Sequence, residues 1–188
     1  VAERDIFDYV YDGEILRTLK GRKNSKKRNH INYFLSEYEG RFEYRLLGKE
    51  DFDDCRALLD EWTINKEEND NIEEGVDDER SGIEKLFTHY DQICDRLKIA
   101  GIYIDGKLEA FTMGELLNNN MALIHIEKAN PEIRGLYPYI NQQFLVHEFP
   151  DVEFVNREED MGIEGLRKAK LSYHPCKLVE KYTVREAN

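Results

Sequence analysis

Cysteine, proline and long apolar runs are all scarce in this chain of 188 residues, and each shortage closes off a class of protein. The three cysteines, Cys55, Cys94 and Cys176, are odd in number, widely spaced and free of any CxxC pair. That pattern argues against a disulfide framework and a zinc site, and for a reducing compartment, by default the cytoplasm. No apolar run approaches the roughly 20 residues of a membrane span, and no signal-peptide pattern is present. Residues 66–79 are strongly acidic but lack the D-x-D-x-D-G register of a calcium loop, so they read as a surface loop without a metal. There is no internal repeat and no linker rich in Pro, Gly or Ser. Positive charge is short as well. Lys and Arg number 27 against 39 Asp and Glu, a net charge of −12 that repels duplex nucleic acid unless a local patch reverses the sign.

One such patch is present. Arg17 to Asn32 carries seven Lys and Arg and no Asp or Glu. It reads either as a solvated helix face or as a strip that holds a polyanion. Ile31, Phe34, Leu35 and Tyr38 then recur at helical spacing, so the patch opens an amphipathic helix that Gly40 ends. Ahead of it, residues 3–19 suggest an edge strand, a turn at Asp12–Gly13 and a short helix. Phe42–Leu47 alternates like a strand, and 51–62 and 83–97 have the apolar spacing of helices. Strands follow at 99–104, 107–116 and 121–129, the first two joined by Asp105–Gly106, a strong hairpin signal. Asn130–Pro131 breaks the run before a helix at 135–149. A strand at 152–155, a helix at 162–173 and a strand at 176–184 complete the chain. This order predicts an α+β (mixed α/β) domain with a mixed central sheet flanked by helices. It is the order of the GNAT acyltransferase fold.

In that fold an acyl carrier's pyrophosphate meets the helix N-terminus after the fourth strand. Here Glu132 and Tyr137 stand where Gln or Arg and a small residue would be expected, so coenzyme A binding is disfavoured. His125 and Glu127, two apart on one strand, are expected to share a face. His125 reads as a satisfied core histidine. Glu127 holds a substrate ammonium, acts as a base, or pairs with an internal cation such as Lys170. Glu158, Glu159 and Asp160 suit either a site or the cap of the next helix. Arg157 could fix that turn, and Arg167, Lys168 and Lys170 bind phosphate or decorate a surface.

Three segments, LKGRKNSKKRNHIN, HIEKANPEIRGLYPYINQQF and NREEDMGIEGLRKAKLSYHP, carry a resemblance over nearly the whole chain. The chain resembles the DUF2156 family, which is similar to the C-terminal catalytic domain of phosphatidylglycerol lysyltransferase (lysylphosphatidylglycerol synthase) and related to the Fem-type aminoacyltransferases. That domain's LRxxKxxF/YxPxxxxxY segment reads Leu166, Arg167, Lys170, Tyr173, Pro175 and Tyr182 here. Its basic segment matches Gly21, Lys23, Arg28 and Asn32. The resemblance implies two GNAT-like lobes in tandem, with residues 1–39 the end of a first lobe plus a basic connecting helix, and 40–188 the C-terminal domain. It implies transfer of an aminoacyl group from aminoacyl-tRNA to a lipid headgroup or another acceptor, without a metal or a cofactor. Glu127 and Glu158 would then hold an α-amino group, while Lys170 and Tyr173 assist developing negative charge. Arg134, Asn156, Arg157, Arg167, Lys181 and Tyr182 would bind substrate. The acceptor end of tRNA would lie on Lys20, Lys23, Lys26, Arg28 and Asn32, within the strip that also holds Arg22 and Lys27. The rivals are an acyl-CoA-dependent N-acetyltransferase and a non-catalytic module that binds tRNA or anions.

Overall fold

The computed structural model describes residues 2–69 and 76–184, with side chains outside 65–78. Seven strands form one sheet: β1 (Asp8–Asp12), β2 (Phe42–Leu46), β3 (Lys98–Ile104), β4 (Lys107–Asn118), β5 (Met121–Ala129), β6 (Phe154–Asn156) and β7 (Lys177–Val179). Their spatial order is β2-β3-β4-β5-β6-β1-β7. All neighbours are antiparallel except β5 and β6. The helices are α1 (Gly13–Thr18), α2 (Ser25–Glu37), α3 (Phe52–Asn69), α4 (Val76–Thr88), α5 (Tyr90–Ile93), α6 (Leu136–Glu148) and α7 (Glu164–Leu171). The mixed sheet flanked by helices is the architecture expected from the sequence.

Local signals explain most of the elements. Asp105 and Gly106 both take positive φ, 51° and 83°, the geometry of the tight turn that joins β3 to β4. Asp12 ends β1, and its Oδ1 accepts from the Ile15 amide at 2.8 Å and caps α1. At the other end of α1, Leu19 is left-handed and Arg28 donates to the carbonyls of Leu19 and Gly21, which ties α2 to α1. Of the acidic stretch 66–79, residues 66–69 end α3 and 76–79 open α4, so the described part is helical rather than looped; 70–75 lie outside the described residues.

The sheet has two apolar faces. One is covered by α1, α2 and α6 through Leu16, Phe34, Leu136, Ile140 and Phe144 over Tyr9, Tyr11, Ile102 and Ile124. The other is covered by α3 and α4 through Phe52, Leu58, Ile83 and Phe87 over Ile99, Phe111 and Met113.

Two features of the topology set the site. First, β1 is not an edge strand. It lies between β6 and β7, with Val10 opposite both Asn156 and Lys177, and Tyr9, Val10 and Tyr11 are buried. Residues 2–39 therefore contribute a strand to the same sheet as 40–184 and two helices, α1 and α2, to its face. Second, β5 and β6 pair only from Met121↔Phe154 to Leu123↔Asn156. Beyond that β5 continues while β6 ends, and a fork opens between them.

Candidate functional site at the fork between β5 and β6

A bulge in β5 prepares the fork. Met113 pairs with Ile126 but Gly114 pairs with Ile124, so His125 is an extra residue and the alternation flips there. His125 and Glu127 consequently do not share a face, contrary to the period-2 expectation. Ile124 joins the face under α6, whereas Ile126 packs on the opposite face.

On the α6 face, Glu127 accepts from Arg157 Nη2 at 2.9 Å and from Asn141 Nδ2 at 2.8 Å. Both side chains of the ion pair are 11% exposed. Burial alone would lower the Arg157 pKa, but the Glu127 charge outweighs it and the guanidinium stays charged. The partner of Glu127 is thus Arg157, not Lys170. Arg157 also lies over the ring of Tyr173 at 4.7 Å and that of Tyr11 at 5.7 Å. Burial pushes both tyrosine hydroxyls far above their usual range. Two buried atoms here have no hydrogen-bond partner, Arg157 Nη1 and Asn141 Oδ1, and they belong to the two side chains that hold Glu127.

Lys170 does a different task from the one the sequence suggests. Its ammonium donates to the carbonyls of Arg157 and, at 2.6 Å, of Glu159, clamping the turn after β6. Burial and the nearby Arg157 charge lower its pKa to about 8. The Lys170 carbonyl accepts from Tyr11 at 2.9 Å, so α7, the turn and β1 are bolted together.

From the basic helix, Lys27 reaches this cluster. Its Nζ sits 3.7 Å over the Tyr173 ring and donates to Ser172 Oγ at 2.7 Å. Burial, Arg157 and Lys26 bring its pKa down to about 8. Nearby, Arg134 is 4.7 Å over the Tyr33 ring, and its charge helps, after burial, to lower the His30 pKa together with Lys26 and Lys27. Lys26, Lys27, His30 and Arg134 therefore form one electropositive surface that leads to Tyr173. Lys23, Lys26 and Asn32 are exposed. Lys20 is exposed and pairs with the equally exposed Glu14, whereas Arg28 belongs to the scaffold, donating to the carbonyls at the end of α1.

Several expected substrate ligands are likewise bound within the protein. Arg167 donates to both oxygens of Asp160 at 2.8 Å and to Asp5 at 2.6 Å. Asp160 is fully buried and also accepts from Tyr9 and the Gly162 amide. Burial would raise its pKa, but these donors hold it far below the carboxylate range. Asn156 bonds Asp8 at 3.0 Å and the Glu158 amide at 2.7 Å. Lys181 pairs with Asp8 and Glu159, and Tyr182, 60% exposed, donates to Glu180. No carboxylate of the 158–160 run caps α7, whose N-cap is Ile163 with no side-chain bond.

On the other face, Glu158 crosses the fork to His125, with Oε1 2.8 Å from Nδ1. His125 Nε2 is 3.2 Å from Glu115. Glu158 holds a left-handed φ of 56° to make this contact. The fork is therefore closed by Arg157–Glu127 on one face and Glu158–His125 on the other.

The N-terminus of α6 is also covered. Gly135 has φ 90°, and a Cβ there would stand 2.1 Å from the His30 carbonyl oxygen of α2. Pro138 removes one of the free amides of the first turn. Among the described residues, no group of three or more His, Cys, Asp or Glu is arranged to hold a metal.

The sequence signals missed here are specific. Asn141 lies on the otherwise apolar buried side of α6, where a polar residue needs a partner. Tyr11 reads simply as a strand aromatic. Lys27 is indistinguishable from its basic neighbours.

Comparison with known proteins gives these residues a context. Residues 1–185 match the family model "Phosphatidylglycerol lysyltransferase, C-terminal". A conserved protein of unknown function from Bacteroides thetaiotaomicron is 36% identical at a TM-score of 0.86, over 96% of this chain and 59% of that one. The C-terminal domain (DUF2156) of a putative lysylphosphatidylglycerol synthetase from Agrobacterium fabrum superposes at a TM-score of 0.61 and 17% identity, over 96% and 59%. An uncharacterised protein of Mycoplasmoides gallisepticum is 27% identical over 181 residues, 95% of this chain and 56% of that protein. The chain thus spans little more than half the length of these relatives. The fold they share is GNAT-like.

Proposed function

Because this chain belongs to the phosphatidylglycerol lysyltransferase C-terminal family, we propose that it serves transfer of an aminoacyl group from aminoacyl-tRNA to a lipid headgroup or another acceptor. The observation that carries the reading is the run Lys27–Tyr173–Arg157–Glu127, which joins the basic face of α2 to a buried ion pair at the fork.

An aminoacyl ester is already activated. Its transfer needs positioning and a donor for the negative charge that grows on the carbonyl oxygen. Arg157 Nη1, a buried donor without a partner, suits that charge better than Lys170, which is spent on two carbonyls. Glu127 orients the guanidinium, and Lys170 holds the turn that delivers it. The tRNA end lies along Lys23, Lys26, Asn32 and Arg134, with Lys27 nearest the reacting ester. An acyl-CoA reaction is the weaker reading, since α2 packs over the N-terminus of α6 where a pyrophosphate would bind.

The test is a pair of binding and transfer assays with labelled aminoacyl-tRNA and with acetyl-CoA. Binding of aminoacyl-tRNA that is lost in Lys23→Glu/Lys26→Glu, with transfer abolished in Arg157→Lys, is the expected result. Tight coenzyme A binding without tRNA binding would overturn the proposal. Binding of tRNA with no transfer to vesicles or small amines would make the chain a binding module.

A further inference from the structure

β2 stands at one end of the strand order, so among the described residues its outer side pairs with no strand. Such an edge presents unpaired amides and carbonyls to any other chain, and proteins usually blunt it with shortness, a bulge, proline or lysine. β7, at the opposite end, has only three residues. β2 has five, keeps a regular ladder against β3 and contains neither proline nor lysine.

That ladder fixes which backbone groups face outward. Asp105 N–H donates to the Arg41 carbonyl at one end, and Leu47 N–H donates to the Ile99 carbonyl at the other, both at 2.9 Å. Bonds to β3 therefore belong to the odd-numbered residues of β2. The alternation of an antiparallel ladder then turns the amides and carbonyls of Phe42, Tyr44 and Leu46 away from β3. A second copy of β2 laid antiparallel on this edge must bond even-numbered residues to even-numbered ones. With Tyr44 opposite Tyr44 the whole strand pairs: Phe42 faces Leu46 and Glu43 faces Arg45, each twice by symmetry. The Glu43–Arg45 pairs then fall at the non-hydrogen-bonded positions, where side chains come closest. Sliding by two residues sets Glu43 against Glu43 in one direction and Arg45 against Arg45 in the other. Charge thus favours one register and penalises both of its neighbours.

The side chains are ready for this contact. Glu43 is 63% exposed, and Arg45, 44% exposed, is steadied by Asp51 at 2.7 Å and by the Tyr103 ring at 3.9 Å. Leu46 shares the face of Phe42 and Tyr44 but is 53% exposed, and the Phe42 ring of a second copy would cover it. We propose that two copies of this chain pair through β2, antiparallel about Tyr44, and join their sheets into one continuous sheet.

Sedimentation velocity of the full chain, from low micromolar to sub-millimolar concentration, is the test. The weight-average mass should rise toward twice that of the monomer. Glu43→Lys, which faces Arg45 of the other copy with a like charge, should weaken association roughly tenfold or more and leave the melting temperature unchanged. Mixing Glu43→Lys with Arg45→Glu should restore it, because each variant then meets opposite charge at both positions. Register is read by cross-linking in a Cys94→Ser/Cys176→Ser background. Glu43→Cys should form a disulfide with Arg45→Cys in a mixture and not with itself. A chain that stays monomeric, association indifferent to Glu43→Lys, or self-linking of Glu43→Cys overturns the proposal. β3 and β4 separate this edge from the fork, so the result is independent of the transfer reading.

Discussion

Arg157 and Glu127 meet 2.9 Å apart across the gap where β5 and β6 part, each 11% exposed. The pair is the internal closure of the fork on its α6 face. Removing one member strands the other's charge in the interior. Arg157→Ala is expected to cost about 3–5 kcal/mol in denaturant unfolding, because Glu127 is left buried without a counter-ion. The double change Glu127→Gln/Arg157→Met should recover much of that loss. Two losses that simply add would show that the side chains do not depend on each other.

Asp160 ties the turn after β6 to Tyr9 and Arg167, and its pKa is depressed. A depressed carboxylate contributes stability above its unfolded pKa of about 3.9 and loses it as pH falls toward the folded value. Asp160→Asn should therefore destabilise the protein near neutrality and flatten the loss of stability below about pH 4. Unfolding measured across that window checks it. Parallel curves for the two proteins would contradict the assignment.

Lys27 and Lys170, whose pKa values fall to about 8, give a slope of the same sign from the opposite cause, because here burial penalises the charged form. Between about 8 and the unfolded value near 10.4 the unfolded chain binds more protons, so stability rises with pH across that interval. Below it the cost of burying the ammonium is fully present. Lys27→Met should make the rise shallower, as read by thermal unfolding at successive pH values.

The basic surface divides into two kinds of residue. Lys23 and Lys26 are exposed, so Lys26→Glu should leave the melting temperature unchanged and lower the salt dependence of tRNA binding by about one phosphate contact. Arg28 caps α1 through the carbonyls of Leu19 and Gly21, so Arg28→Ala should destabilise the fold by about 1–2 kcal/mol. Equal effects of the two changes on stability would contradict this division.

The order of strands and helices was legible because its signals are local. Asp105–Gly106 dictates its turn, Gly40 follows the end of α2, and the spacing of Leu136, Ile140 and Phe144 marks a helix side. What could not be read was anything set by a distant partner. Nothing in YVY reveals that β1 sits between β6 and β7, since edge and interior strands differ in their neighbours rather than in their own residues. The bulge at His125 adds one residue without a local signature, and it moved His125 to the face away from Glu127. Charged residues fared worst. Arg167, Lys170 and Lys181 look alike in sequence to cations that await a substrate, and only the positions of Asp160, the Arg157 carbonyl and Asp8 show them to be engaged.

The place of β1 has a consequence for how the chain reaches this structure. Tyr9, Val10 and Tyr11 leave the ribosome long before the residues that flank them in the sheet, Phe154–Asn156 and Lys177–Val179. Until those emerge, an aromatic strand waits with both edges unpaired. Such late, non-local closure slows folding and leaves a sticky intermediate exposed.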